Sequence, residues 1–317
     1  MQGKCWRICF LDPLSLSFKV NYKGILVIMG KLSKTLYITD LDGTLLNNEP
    51  DLSVKTIETV NKFIDNGHLF SIATARSITS SKRFIDKLNV KLPIILHNGV
   101  FIYDLASKQY IASNYLEREA AIIIASVAKE SGLNPIIFTM DHAGIPHVYY
   151  ERIANYADKH FIETRLKQGD KRFRQVEDVC DCVKDEAEGD VISFLIQDEH
   201  IKINKLYQDI KLSLINSDPS SNDLPTVHIS LDVYSNWYSL DITSNKANKG
   251  DAIRALKNIL GVDRVVCFGD NINDMPMFEA CDERYAVANA CMELKAKADR
   301  VIGSNKDDGV AKFLIEV

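Results

Sequence analysis

No apolar run in this 317-residue chain approaches the roughly 20 residues of a membrane-spanning helix, so a membrane is not an expected partner. Basic charge is not in excess either. The 38 lysines and arginines are outnumbered by 43 aspartates and glutamates, for a net charge of -5. Nucleic-acid binders normally carry a basic domain, so nucleic acid is not expected. The acidic balance is also too mild for a disordered acidic protein. The 7 cysteines are odd in number and spread along the chain, which argues against a disulfide framework. Cys180 and Cys182 lie one residue apart, and no second Cys/His pair follows at zinc-binding spacing. They read as free thiols, which fits a reducing cytoplasm. No internal repeat or low-complexity tract is present. Asp12 and Pro13 interrupt the N-terminal apolar residues, and no small-residue cleavage site follows, so a signal peptide is a poor match. Nothing points to an obligate protein partner.

What is present is the composition of a globular protein, with 46% hydrophobic and 26% charged residues. The length exceeds the usual size of a single core and predicts two domains. Residues 1–33 show no clear period, although Gly24 to Ile28 has the composition of a short strand. They are expected to form an N-terminal extension outside the fold, with Met29 as the native start.

From Leu36 the pattern becomes regular. An apolar run ends in Asp40-Leu41-Asp42-Gly43-Thr44. Two carboxylates at the end of a buried strand repel each other and must be paired, hydrogen-bonded or metal-bound. A helix follows from about Ser53, with Val54, Ile57, Val60 and Ile64 at helical spacing. Strands over 68–73 and 93–96, a helix to about Leu88 between them, and a hairpin over 100–112 come next. The middle of the chain predicts helices over 117–129, 156–167 and 201–214. Its strands are expected over 136–138, 147–150, 191–196, 227–231 and 237–242, with an acidic loop over 181–190. A helix opening at Asn248-Lys249-Gly250 and a strand over 264–268 resume the first pattern, followed by short strands at 285–287 and 301–302 and a closing helix over 310–315. Strands alternating with helices imply a parallel sheet. The prediction is an α/β chain with a Rossmann-like core over 34–112 and 243–317, and a second α/β unit over 113–242 inserted between its halves.

Ligands bind open parallel sheets at the carboxyl ends of the strands. Four predicted strands end there in polar clusters: Asp40 and Asp42, Thr74, Asn98-Gly99, and Asp270 to Asp274. Lys249 opens the helix leading into the last of them. Carboxylates with a carbonyl and water form the oxygen set that Mg²⁺ prefers. A lysine, a hydroxyl and backbone N–H groups suit a phosphate oxyanion. A carboxylate can attack phosphorus, and a second can move the proton.

These residues resemble the four motifs of the haloacid dehalogenase-like hydrolase superfamily, in order and separation. Asp40-Leu41-Asp42-Gly43-Thr44-Leu45 is similar to the first motif, Thr74 to the second, Lys249-Gly250 to the third, and Gly269-Asp270-Asn271-Ile272-Asn273-Asp274-Met275 to the fourth. His97-Asn98-Gly99 and the large insertion resemble the Cof-like (IIB) phosphatases, whose cap is of the C2B type. Many relatives have Thr-Gly-Arg where this chain has Thr74-Ala75-Arg76.

The resemblance implies Asp40 as nucleophile and Asp42 as general acid/base. It implies Thr74, Lys249, Asn98 and Gly99 as phosphate contacts. Mg²⁺ would be held by Asp40, the Asp42 main-chain carbonyl and Asp270, with Asn273 or Asp274 contacting the metal or its water. The implied activity is a cytoplasmic Mg²⁺-dependent phosphatase for a small phosphorylated metabolite, with sugar phosphates as the leading class. A phosphomutase or phosphotransferase sharing the intermediate, and a non-enzymatic phosphometabolite-binding regulator, stand as alternatives. In the inserted unit His142, His147, Tyr149, Tyr150, Arg152, His160 and Trp237 are candidate substrate contacts, with packing or surface exposure the favoured expectation for each. The start at Met29 has a direct check. Mass spectrometry of the natural N-terminus should find no peptide spanning Ile8 to Lys19, and finding one would defeat that reading.

Overall fold

The computed structural model describes residues 35–47, 51–185, 188–218, 224–231 and 237–317. The strand expected at Gly24 to Ile28 and the start at Met29 lie outside them. The described residues fall into two compact units, one within 35–113 and 246–317 and the other within Asn114–Asn245.

In chain order the first unit begins with β1 (Thr35–Thr39), α1 (Val54–Asp65), β2 (Leu69–Ile72), α2 (Ile78–Ile85), β3 (Ile94–Leu96), β4 (Phe101–Asp104) and β5 (Gln109–Ser113). The second unit contains α3 (Arg118–Glu130), β6 (Ile136–Met140), β7 (Pro146–Tyr150), α4 (Tyr156–Lys167), β8 (Phe173–Gln175), α5 (Val179–Lys184), β9 (Asp190–Asp198), α6 (His200–Ser217), β10 (Thr226–Leu231) and β11 (Tyr238–Thr243). The first unit then resumes with α7 (Lys249–Leu260), β12 (Arg264–Gly269), α8 (Met275–Ala280), β13 (Glu283–Val287), α9 (Met292–Lys295), β14 (Arg300–Ile302) and α10 (Gly309–Ile315).

The first unit is built on a parallel sheet in the order β14-β13-β12-β1-β2. Leu36 and Ile38 on one face of β1 and Thr39 on the other are fully buried, as a strand covered on both faces requires. β1 lies where the strand order reverses, with β12 on one side and β2 on the other, which is the switch point where open α/β sheets bind ligands. The antiparallel sheet β3-β4-β5 continues from it through a parallel bridge between Ala73 and Ile95. Helix starts follow local chemistry. Ser53 accepts from the Thr56 N–H at 2.9 Å and Asn248 from the Asp251 N–H at 2.8 Å, each satisfying a donor that the first helical turn leaves unpaired.

The inserted unit carries a six-stranded sheet in the order β10-β11-β9-β6-β7-β8, antiparallel except between β7 and β8. Buried residues of α3, α5 and α6 pack with Phe194, Ile196, Leu240 and Ile242. A smaller cluster gathers Ile162 of α4 with Ile136, Val148, Tyr150, Phe173 and Leu195. One expectation fails here. The acidic loop predicted over 181–190 begins inside a helix, because Asp178 caps α5 by accepting from the Cys180 N–H at 2.8 Å. The helix buries Val179, Cys180, Cys182 and Val183, and burial pushes the Cys182 thiol up to about 11. The strand β8 was also not expected. No helix among the described residues is long and apolar enough to cross a membrane.

Two glycines fix the start of α7. A Cβ on Gly99, whose φ is +101°, would lie 2.2 Å from the Asn248 carbonyl oxygen. A Cβ on Gly250 would lie 2.1 Å from the Pro276 carbonyl oxygen at the start of α8. The backbone that carries Lys249 is therefore held at van der Waals distance on two sides. Gly250→Ala separates two opposed effects. Helix propensity alone would stabilise by about 1 kcal/mol, whereas overpacking against fixed backbone costs about 1–3 kcal/mol. The clash should win, lowering the urea midpoint, and a variant as stable as the parent would show that the contact is not tight.

Candidate active site

The site forms where β1, β2 and β12 end. Asp40 follows β1 directly, and its N–H still donates to the Phe268 carbonyl of β12 at 3.0 Å. The chain then winds through Leu41–Leu45, closed by the Leu46 N–H on the Leu41 carbonyl at 2.8 Å. Gly43 makes that turn possible. Its φ is +79°, and a Cβ there would meet the Asp270 carboxylate at 2.3 Å. Asn289 steadies the turn, its Nδ2 donating to the Gly43 carbonyl at 2.7 Å.

Lys249 is the centre of the electrostatics. Its side chain is fully buried, and Nζ donates to Asp40 Oδ1 at 2.6 Å and to Asp274 Oδ1 at 2.7 Å. A buried ammonium is tolerated only with such partners. Burial acts to lower its pKa, but the Asp274 and Asp40 carboxylates outweigh that and hold it above the ordinary lysine value. One cation does not balance the cluster. Asp40, Asp270 and Asp274 each place an oxygen within 4.8 Å of the others. Burial raises the Asp40 carboxyl well above its usual range, against the opposing pull of Lys249. Burial, with Asp274 adding repulsion, pushes Asp270 up to about 7.

The donor chemistry fits a divalent cation. The surplus of carboxylate charge calls for one, and oxygen remains available for it. Asp40 Oδ2 carries no hydrogen bond among the described residues. Asp270 uses Oδ1 to accept from Thr44 Oγ1 at 3.1 Å, which leaves its Oδ2. Asp274 is different. One oxygen takes Lys249, and the other accepts from the backbone N–H groups of Asp270 and Asn271 at 2.9 and 3.2 Å. Both its oxygens are hydrogen-bonded within the protein, so besides lying within reach of the same ion it holds the lysine and the loop in place.

The other expected residues divide. Thr74 is fully buried, with Oγ1 accepting from the Arg76 N–H at 3.1 Å and its carbonyl from the Asn98 N–H at 3.0 Å. Asn98, in the left-handed region at φ 53°, accepts from Asn273 Nδ2 at 3.1 Å and so ties the β3 end to the β12 loop. Gly99 is committed to packing against Asn248. Asp42 is exposed, and its carboxylate is held by Arg76 through Nε at 2.6 Å and Nη2 at 2.5 Å.

Sequence reasoning gave no role to Thr44, Arg76 or Asn289. Thr44 and Arg76 lie inside the stretches that carry the motifs, each two residues from a singled-out position. Asn289 lies outside every motif and had no local signal. Several candidates in the inserted unit have partners of their own. His147 pairs with Asp141 at 2.9 Å, the Tyr149 hydroxyl donates to Glu188, Arg152 donates to the Gly132 carbonyl at 3.4 Å, and His160 stacks on Tyr156. Tyr150 is buried in the smaller apolar cluster.

Comparison with known proteins identifies the family. The family model of haloacid dehalogenase-like hydrolases matches residues 37–314. The chain is 26% identical over 292 residues to the 5-amino-6-(5-phospho-D-ribitylamino)uracil phosphatase YitU of Bacillus subtilis, covering 89% of this chain and 96% of that protein. It is 25% identical over 289 residues to the pyridoxal phosphate phosphatase YbhA of Escherichia coli, covering 87% and 95%. A crystal structure of a haloacid dehalogenase-like hydrolase from Bacteroides thetaiotaomicron shares the fold with a TM-score of 0.71 at 21% identity, over 89% of this chain and 98% of that one. The chain belongs to the haloacid dehalogenase-like hydrolases, with a Rossmann-like core, an inserted cap and phosphatases among its relatives.

Proposed function

We propose that this protein is a Mg²⁺-dependent phosphatase that hydrolyses a small phosphorylated metabolite through an aspartyl-phosphate. The observation that carries the reading is the buried Lys249 ammonium shared by Asp40 and Asp274, with Asp270 alongside. A fully desolvated ammonium beside the Asp40 carboxylate is suited to receiving an anionic group that this carboxylate attacks.

In the first half-reaction an Asp40 oxygen forms a bond to phosphorus as the ester P–O bond breaks. The Asp42 carboxyl gives its proton to the departing alkoxide oxygen. In the second, the Asp42 carboxylate takes a proton from water as the water oxygen bonds to phosphorus and Asp40 is released with inorganic phosphate. Lys249 neutralises oxyanion charge, and Thr74 contributes at the end of β2. Mg²⁺ would be held by Asp40 and Asp270, with the Asp42 main-chain carbonyl and Asn273 completing the oxygen set. When bound it supplies charge neutralisation for the phosphoryl oxygens. Asp274 acts through Lys249 and the loop backbone.

The cap is proposed to select the organic part of the substrate. Sugar phosphates lead, and the relatives named above extend the panel to a phosphoribitylamino-uracil and to pyridoxal phosphate. Five cysteines among the described residues are free thiols, which supports a cytoplasmic setting.

Asp40→Asn should abolish phosphate release across such a panel while circular dichroism stays unchanged, and full activity in that variant would sink the mechanism. EDTA should stop turnover and Mg²⁺ should restore it. The raised carboxyls add a pH dependence. Without metal, Asp40 and Asp270 hold protons up to higher pH in the folded state than in the unfolded one. Stability from these groups is therefore present below their ordinary range and is lost as pH climbs through about 7 for Asp270. Mg²⁺ competes with those protons. Its affinity by calorimetry should weaken as pH falls from about 8 to about 6, with protons released on binding, and a pH-independent affinity would count against these ligands.

A further inference from the structure

We infer that Arg76 is a positioning residue, holding the Asp42 carboxylate in the orientation needed to pass its proton to the leaving oxygen. The inference rests on the phosphatase reading above and extends it to a side chain outside the nucleophile and metal cluster.

Three observations converge on Arg76. Its backbone is pinned at both ends. Its N–H donates to Thr74 Oγ1 at 3.1 Å, and its carbonyl accepts from the His97 N–H at 3.1 Å. Its guanidinium is steadied by an aromatic face, with Cζ 5.1 Å from the ring centroid of the fully buried Phe84. Its two nitrogens then meet the two oxygens of Asp42 at 2.6 and 2.5 Å, a fork that fixes the plane of the carboxylate as well as its position. Among the described residues, Arg76 alone hydrogen-bonds that carboxylate.

The pair is a poor candidate for a merely structural bridge. The Asp42 side chain is 48% exposed and that of Arg76 25%, and ion pairs this open to water add little stability. What the fork does supply is orientation. The backbone at the turn is set separately, by Gly43 and by Asn289 on the Gly43 carbonyl. Removing the guanidinium would leave the turn in place and the Asp42 side chain free to rotate. A lysine would keep the charge and lose the fork.

Leaving-group dependence separates positioning from general damage. A para-nitrophenolate leaves without a proton, whereas the alkoxide of glycerol phosphate needs one. In this two-step scheme kcat/KM reports the half-reaction in which the ester bond breaks. The full-length chain with Mg²⁺ would be assayed on both esters as the parent, Arg76→Ala, Arg76→Lys, Asp42→Asn and the double variant. Arg76→Ala should lower kcat/KM on glycerol phosphate by about 10- to 100-fold more than on para-nitrophenyl phosphate. Arg76→Lys should recover part of the loss. The double variant should be no worse than Asp42→Asn alone, since both changes remove one function. Equal losses on the two esters, or no loss on either, would overturn the role of Arg76 while leaving the phosphatase reading intact. A parent protein that releases phosphate from neither ester nor from the wider metabolite panel would overturn both.

Discussion

The structure depends on one buried cation. Lys249 has no exposed surface, and its ammonium is satisfied by two carboxylates at 2.6 and 2.7 Å. Removing either partner of such an arrangement leaves an uncompensated buried charge, at a cost of about 3–5 kcal/mol. The lysine therefore fixes Asp40 and Asp274 as firmly as they fix it. Asp274 passes that order on, because its second oxygen organises the backbone N–H groups of Asp270 and Asn271. A single electrostatic knot thus joins the end of β1, the start of α7 and the loop after β12. The same knot leaves Asp40 and Asp270 to be balanced either by protons or by a further cation.

Backbone contact complements the charges. Gly43, Gly99 and Gly250 lie where a side chain would strike Asp270, Asn248 or Pro276. Each allows a close approach between segments that carry the site, and together they set its dimensions. The polar side chains around them buttress the same framework. Thr44 reaches Asp270, Asn273 reaches Asn98, and Asn289 reaches the turn.

Much of this was legible in the sequence, for a physical reason. Buried parallel strands are continuous apolar runs, and the groups that follow them stand out. Asp40, Thr74, Lys249 and Asp270 could therefore be picked out from their places beside such runs. What escaped depended on long-range partners. Nothing local distinguishes Asp274, with both oxygens committed, from Asp270, with one oxygen left. The Asn98-Gly99 pair suggested phosphate recognition, yet the constraint on Gly99 is an approach to Asn248 from nearly half the chain away. Arg76 lay in plain view beside Thr74, but only folding turns it toward Asp42. In the inserted unit, the acidic composition after Cys180 concealed the short helix α5, because its cap is a side chain and its four buried residues are too few to show a period.

The order of the strands along the chain has a consequence for synthesis. β1 pairs with β12, and the Lys249–Asp40 bond spans 209 residues. The whole inserted unit, a contiguous segment, leaves the ribosome before β12 exists. It can gather its own core while β1 has only β2 beside it, since domains fold as units during synthesis. Asp40 acquires neither its lysine nor its neighbouring carboxylates until the C-terminal third arrives. The nascent chain therefore carries Asp40 without the lysine and carboxylates that surround it in the finished fold.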